Sequence, residues 1–318
     1  PGAPGYNGQD PYGATFTVNI KDVMVEITYG NDLANEPVAS YKKNADTKFV
    51  YSGSDGLPFG ITDAAYNGNA ITEIQETHLD LLNRFTGFDP TDIDDDVDGW
   101  TALNTARSGW NVRWWTVADI TLKKVLDKLQ YEGCFIFRFR SDGSGQYIHI
   151  QNSPSIEHTL TPDDFDGLKV GLTPFTELLT KREIQYAKHP ANNTYLTSQT
   201  FTNATARTAW NIQTKENIQQ TKLDAYVAPV IPTTPNASPN NDFASYYDNI
   251  FGTIKTIGSC NVVNPAFYNI EVGDIVGFDS MVVDEFGITP NNWKGKYMVT
   301  SQKRTPGNVY IEFREVDR

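Results

Sequence analysis

Between Trp114 and Ile150 the spacing of apolar positions changes once, from helical to extended. Leu122, Val125, Leu126 and Leu129 fall at i, i+3, i+4 and i+7, on one stripe of a helix that Thr121 can cap. Gly133 stands where a left-handed stop is expected. From Cys134 to Arg140 the period is two, with Phe135, Phe137 and Phe139 on one face and Ile136, Arg138 and Arg140 on the other. Ser141-Asp142-Gly143-Ser144-Gly145 supplies a turn, and Gln146 to Ile150 returns as the second strand of a hairpin. The unit is a packing device; nothing in it is placed to make or break a bond.

A second helix is expected upstream. Thr72 and Gln75 form the skeleton of a capping box, Ile74, His78, Leu81, Leu82 and Phe85 share a face, and Gly87 is the stop. Extended signals dominate elsewhere. Phe16 to Tyr29 reads as one long strand through Val18, Ile20, Val23, Val25 and Ile27, broken once around Lys21-Asp22. Further strands are predicted over Glu177 to Ala187, Tyr195 to Phe201, Trp210 to Ile218, Ile254 to Val263, within Ile270 to Phe278, and over Lys296 to Ser301 and Val309 to Val316. The last two are joined by a turn at Thr305-Pro306-Gly307-Asn308. Pro229, Pro232, Pro235 and Pro239 exclude a regular element from Ala228 to Asn241, which reads as a linker or a long exposed loop.

The predicted fold is mainly β with a few short helices (α+β), built of barrel- or sandwich-like β domains with an inserted helix and hairpin. Residues 1–70 form an N-terminal β segment of a first barrel-like domain, and 71–152 hold helix, acidic Trp-rich loop, helix and hairpin. Residues 153–227 continue the barrel-like domain, 228–242 are the Pro-rich loop, and 243–318 form a small C-terminal barrel.

Composition narrows the function. The 318 residues, 39% hydrophobic and 12% aromatic, suffice for two or three packed cores. No run approaches the roughly eighteen apolar residues of a membrane helix, and Pro1 to Gly5 lacks the charged and apolar regions of a secretory signal. Two cysteines, Cys134 and Cys260, are too few for a disulfide-built scaffold and are expected to be reduced. With 26 basic against 39 acidic residues the net charge is −13, which argues against gripping a phosphate backbone.

Two clusters are candidates for chemistry. Trp100, Trp110, Trp114 and Trp115 can fill a core, anchor a subunit interface, or stack on sugar rings as a platform. Asp94, Asp96 and Asp98 hold positions one, three and five of a calcium-like loop with Gly99 at six, but position twelve is Thr105 in place of the closing glutamate. The alternative is a solvated acidic loop without cofactor. His78, on an apolar stripe, is expected to be a partly buried packing residue with one hydrogen bond. His149, His158 and His189 are dispersed and signal no zinc site. No nucleophile elbow, zinc helix or phosphate loop is present, so no catalytic residue is assigned and the chain is not expected to be an enzyme.

In order, the chain presents a helix ending in Gly87-Phe88-Asp89, an acidic stretch with Ile93, Trp110 and Trp114, the helix Thr121 to Tyr131, the Phe-rich hairpin turning at Asp142-Gly143, then Val272-Gly273-Asp274-Ile275-Val276 and Tyr297-Met298-Val299-Thr300-Ser301. This pattern resembles the tail-hub or baseplate proteins of tailed bacteriophages. The resemblance implies a homo-oligomeric ring, a trimer by preference, with barrel-like domains connecting the tail tube to a distal spike or fibre. It also implies location in the virion tail after assembly in the host cytoplasm, and partners among other tail proteins. Sequence-specific nucleic-acid binding and a transmembrane segment are not expected. Two other readings stand beside it: a tail-tip receptor-binding protein using Trp100 to Trp115 on carbohydrate, and a calcium-dependent glycan hydrolase.

Overall fold

The alternating segment from Phe16 is two strands. β1 (Ala14–Ile20) and β2 (Val23–Tyr29) pair antiparallel with Ile20 opposite Val23, so the segment read as one broken strand is a pair of strands. β3 (Val38–Lys43) and β4 (Asp46–Tyr51) extend this meander to four strands. Their Lys, Ser and Asp content hides the period in the sequence. In this computed structural model these four strands are described by backbone alone, and residues 71–93, 99–114, 120–140, 142–189, 193–213, 217–283 and 293–317 in full.

α1 (Ile74–Thr86) ends at Gly87 as expected, with φ of 71°. Its start differs. Glu73, not Thr72, occupies the N-cap, because the Thr72 carbonyl accepts from Val112 N while Ile74 N donates to Trp110 O (both 3.0 Å), which ties this backbone to a neighbouring segment. Gln75 turns inward and donates to Asn104 Oδ1 (2.9 Å). Ile74, His78 and Leu82 are buried, whereas Phe85, on the last turn, is 64% exposed. α2 (Trp100–Ala106), unanticipated, sets Trp100 and Leu103 against Leu79, Phe135 and Tyr147. α3 (Leu122–Gly133) buries Val125 and Leu129 on the predicted stripe, but Thr121 makes no side-chain cap. The left-handed residue is Cys134 (φ 56°), not Gly133. Gly133 stays helical, where a Cβ would stand 2.5 Å from Phe135 Cε1, so its value is lack of bulk.

The hairpin follows as β5 (Ile136–Phe139) and β6 (Gly145–Ile148). β7 (His158–Leu160) and β8 (Phe165–Leu172) come next. β9 (Lys181–Lys188) then lies between antiparallel β10 (Tyr195–Thr202) and, after α4 (Ala204–Ala209), parallel β11 (Ile218–Lys222). A strand over Trp210 to Ile218 is not formed among its described residues. Trp210 instead caps α4, whose start is fixed by the Asn203 side chain accepting from Ala206 N (2.9 Å). The Pro-rich segment is irregular, as predicted, but it is no free linker: Ile231 N donates to the Tyr186 hydroxyl (3.3 Å), and Ile231 is fully buried.

α5 (Phe243–Phe251), also unanticipated, is capped by Asp242, which accepts from Ser245 N (2.9 Å). β12 (Thr256–Val262), β13 (Ile275–Phe278), β14 (Lys296–Thr305) and β15 (Asn308–Asp317) then join β7 and β8 in one six-stranded sheet, ordered β7-β13-β14-β15-β12-β8. The sheet curls as a half-barrel around Val276, Phe278, Tyr297, Ile311 and Phe313. Both of its outer strands come from residues 158–172, ahead of the Pro-rich segment, so the sheet reaches back beyond the C-terminal stretch that predicted it. A second core joins α3, β9, α5 and the Pro-rich segment around Trp110, Tyr186, Tyr226 and Phe243. The protein is mainly β with a few helices.

Candidate functional site

The Val272-to-Val276 stretch and the Phe-rich hairpin, distant in sequence, meet at one junction. Gly273 has φ of 100°, and a Cβ there would lie 2.8 Å from Ile148 Cδ1, so only glycine lets β6 approach this closely. Beside it Glu271, 7% exposed, takes Arg138 at 2.7 Å and Arg140 at 3.2 Å on one carboxylate oxygen and Arg304 at 3.4 Å on the other. Arg138 and Arg140 belong to the more polar face of the predicted strand, and both reach Glu271 just ahead of β13, while Ile136 on the same face stays exposed. Removing the carboxylate leaves these guanidinium groups, two of them mostly covered, facing one another. Glu271→Ala is expected to cost roughly 1–3 kcal/mol in urea unfolding and to speed amide exchange in the hairpin. Unchanged hairpin exchange would show that the clamp does not hold it.

At the same junction His158 Nε2 stands 3.2 Å from Asp274 Oδ2, and Glu157 completes a trio whose donor atoms all lie within 4.8 Å of one another. Backbone orients both carboxylates: Glu271 N donates to Asp274 Oδ2 (2.7 Å), and Ile275 N donates to Glu157 Oε1 (3.0 Å). Donation of its Nε2–H to the Asp274 carboxylate raises the His158 pKa above its usual value, against partial burial. Glu157 and Asp274 line a cavity of about 40 Å³ with Gln146, His149 and Met298. That is room for a water or a single ion. His149, 5% exposed, has no partner for Nδ1.

The residues singled out by sequence are distributed differently. Trp110 is buried edge-on against Tyr226 (5.5 Å) with the Arg107 guanidinium 4.5 Å over its ring, and Trp100 is buried against Tyr147 (5.0 Å). Both fill cores and offer no surface for a sugar. Trp114 is half-buried, with Lys128 Nζ 5.6 Å from its ring. Trp115, Asp94, Asp96 and Asp98 lie outside the described residues. His78 has one hydrogen bond, Nδ1 to the Tyr147 hydroxyl at 2.9 Å, in a wall of Phe135, Phe137 and Tyr147. Cys134 and Cys260 are buried free thiols; burial raises both pKa values, that of Cys260 to about 12.

The trio escaped sequence reasoning because Glu157-His158 and Asp274 are joined only by the parallel pairing of β7 with β13, which sets His158 opposite Val276. The one local signal was a Glu-His pair entering a short strand. Two buried charges were also missed. Glu132 accepts from Asp224, Ala225 and Tyr226 N (2.9, 2.8 and 2.8 Å). Arg107 donates to Gly133 O (2.7 Å), Cys134 O (2.9 Å) and Asn240 Oδ1 (2.9 Å).

Solved structures to which the chain is similar include the tail protein of Neisseria meningitidis MC58, at 10% identity and a TM-score of 0.43 over 95% of this chain and 90% of that one. The similarity is to phage tail proteins. A prophage tail protein of Listeria monocytogenes matches at 13% identity and a TM-score of 0.37, over 96% of this chain and 88% of that one. A 43 kDa prophage tail protein of Shewanella oneidensis matches at 9% identity and 0.41, over 95% and 88%. No protein-family model and no curated protein matches the chain. Among the described residues no helix is long and apolar enough to cross a membrane.

Proposed function

We propose that the chain is a structural, non-enzymatic subunit of a bacteriophage tail, a member of the hub or baseplate ring between the tail tube and the distal spike or fibre. The observation that carries this reading is an apolar sheet edge. β8 is the last strand of the half-barrel, and Val170 (38% exposed) and Leu172 (52%) lie on it. They lead to Phe175 (48%), whose ring is 6.5 Å from that of Trp210 (46%). An open strand carrying apolar side chains is a template for pairing, and a ring of identical subunits covers it. The junction clamped at Glu271 and close-packed at Gly273 suits a part that transmits load.

Light scattering over a concentration series tests the assembly. A closed oligomer, a trimer by preference, is expected, and Leu172→Lys with Phe175→Lys should weaken self-association about tenfold or more. Immunogold labelling of purified virions tests the location. Particles without label at the tail, or an oligomer indifferent to both lysines, would overturn the reading.

A further inference from the structure

We propose that Glu157, His158 and Asp274 form a binding site for a zinc-class divalent cation that clips the edge strand β7 to β13. The argument is geometric. The 3.2 Å between His158 Nε2 and Asp274 Oδ2 is close to the edge, about 3.3 Å, of a tetrahedron with metal–ligand bonds of about 2.0–2.1 Å. Glu157 supplies a third donor within 4.8 Å of both. One imidazole nitrogen with two carboxylates is a borderline donor set, suited to zinc, cobalt or manganese in preference to calcium.

Three further features make this more than a surface ion pair. Each carboxylate is held by a backbone N–H, from Ile275 on Glu157 and from Glu271 on Asp274, as the outer partners of ligating carboxylates commonly are. The small cavity beside the two carboxylates can take an ion. His149, buried with Nδ1 unpartnered, forms part of the wall of that cavity and is an imidazole in need of a partner. The clip would have mechanical consequences. β7 has only His158, Thr159 and Leu160 in register with β13, and a cation shared by His158 and Asp274 would hold that short pairing at the foot of the clamped hairpin.

The test uses the full, tag-free chain stripped with a chelator. Calorimetric titration with zinc chloride is expected to show one saturable site per chain, cobalt to give the visible absorption of a nitrogen-ligated ion, and zinc to raise the melting temperature. His158→Gln should weaken zinc binding at least tenfold, with Asp274→Asn as a second variant that retains hydrogen-bonding atoms and folding. Changing Asp94, Asp96 and Asp98 together to Asn should leave zinc binding intact, which separates this site from the acidic loop. No saturable zinc binding, or binding that survives in folded His158→Gln and Asp274→Asn but disappears in the loop variant, overturns the proposal.

Discussion

Between pH 6.5 and 5 the His78→Gln variant is expected to lose about 1.5 kcal/mol less stability than the parent chain, and a double variant with His149→Gln about 3 kcal/mol less. Burial pushes both imidazole pKa values down from 6.5 to about 3, His149 with a smaller push from Arg107. The unfolded chain takes up these protons below pH 6.5 while the folded chain does not. Stability is therefore present above pH 6.5 and falls with pH until about 3, by roughly 1.4 kcal/mol per unit for each histidine. Because the unfolded imidazole is already half protonated at pH 6.5, the fall to pH 5 is about 1.5 kcal/mol apiece. Asp248 acts in the opposite sense, because burial raises its pKa from 3.8 to about 6 and the folded chain binds its proton first as the pH falls. The comparison between variants cancels that contribution. Gln can still hydrogen-bond to Tyr147 from position 78, so a cost at pH 7 does not obscure the slope. Urea unfolding at the two pH values measures it; parallel losses in parent and variants would mean that the histidines are protonated in the folded state.

Arg107→Met is expected to destabilise the protein by about 3–5 kcal/mol, measured by urea unfolding at neutral pH. The guanidinium is fully buried, and desolvation lowers its pKa. It persists as a buried cation because it serves three places at once. It caps the end of α3 through Gly133 O and Cys134 O, holds the Pro-rich segment through Asn240, and lies over Trp110 and Tyr246 at 4.5 and 5.3 Å. A cation at carbonyls of a helix C-terminus is favourably placed for the helix dipole. Methionine leaves these acceptors buried without a donor. Arg107→Lys should rescue less than half of the loss, since one ammonium cannot reproduce a planar fork spread over several acceptors. A cost below about 1 kcal/mol for Arg107→Met would show that water replaces the lost donors.

The helix and hairpin were legible because their signals are local. The stripe Val125–Leu129 and the alternation of Phe135 and Phe137 depend only on period, and the turn at Thr305 to Asn308 only on Pro306 and Gly307. The misses have separate causes. Thr72 lost its capping role to a backbone hydrogen bond with Val112, and Gly133 is kept small by the Phe135 ring while Cys134 takes the left-handed position. The first depends on a residue 40 positions away, outside any local window. α5 was passed over because Phe243-Ala244-Ser245-Tyr246-Tyr247 is aromatic-rich and short, although Asp242 and Ser245 carry a cap signal.

By itself, then, the sequence determined the mainly β class, the helix–hairpin unit, the C-terminal strands and the packing role of His78, since each follows from side-chain period and turn chemistry within a few residues. Only the tertiary structure decided that β7 and β8 flank the C-terminal strands, that the hairpin's arginines face Glu271 and that His158 meets Asp274, 116 residues away. Strand pairing and charge pairing across such separations are selected by the packing of the whole chain, where a buried carboxylate requires donors and a glycine admits an isoleucine. No local pattern records that choice.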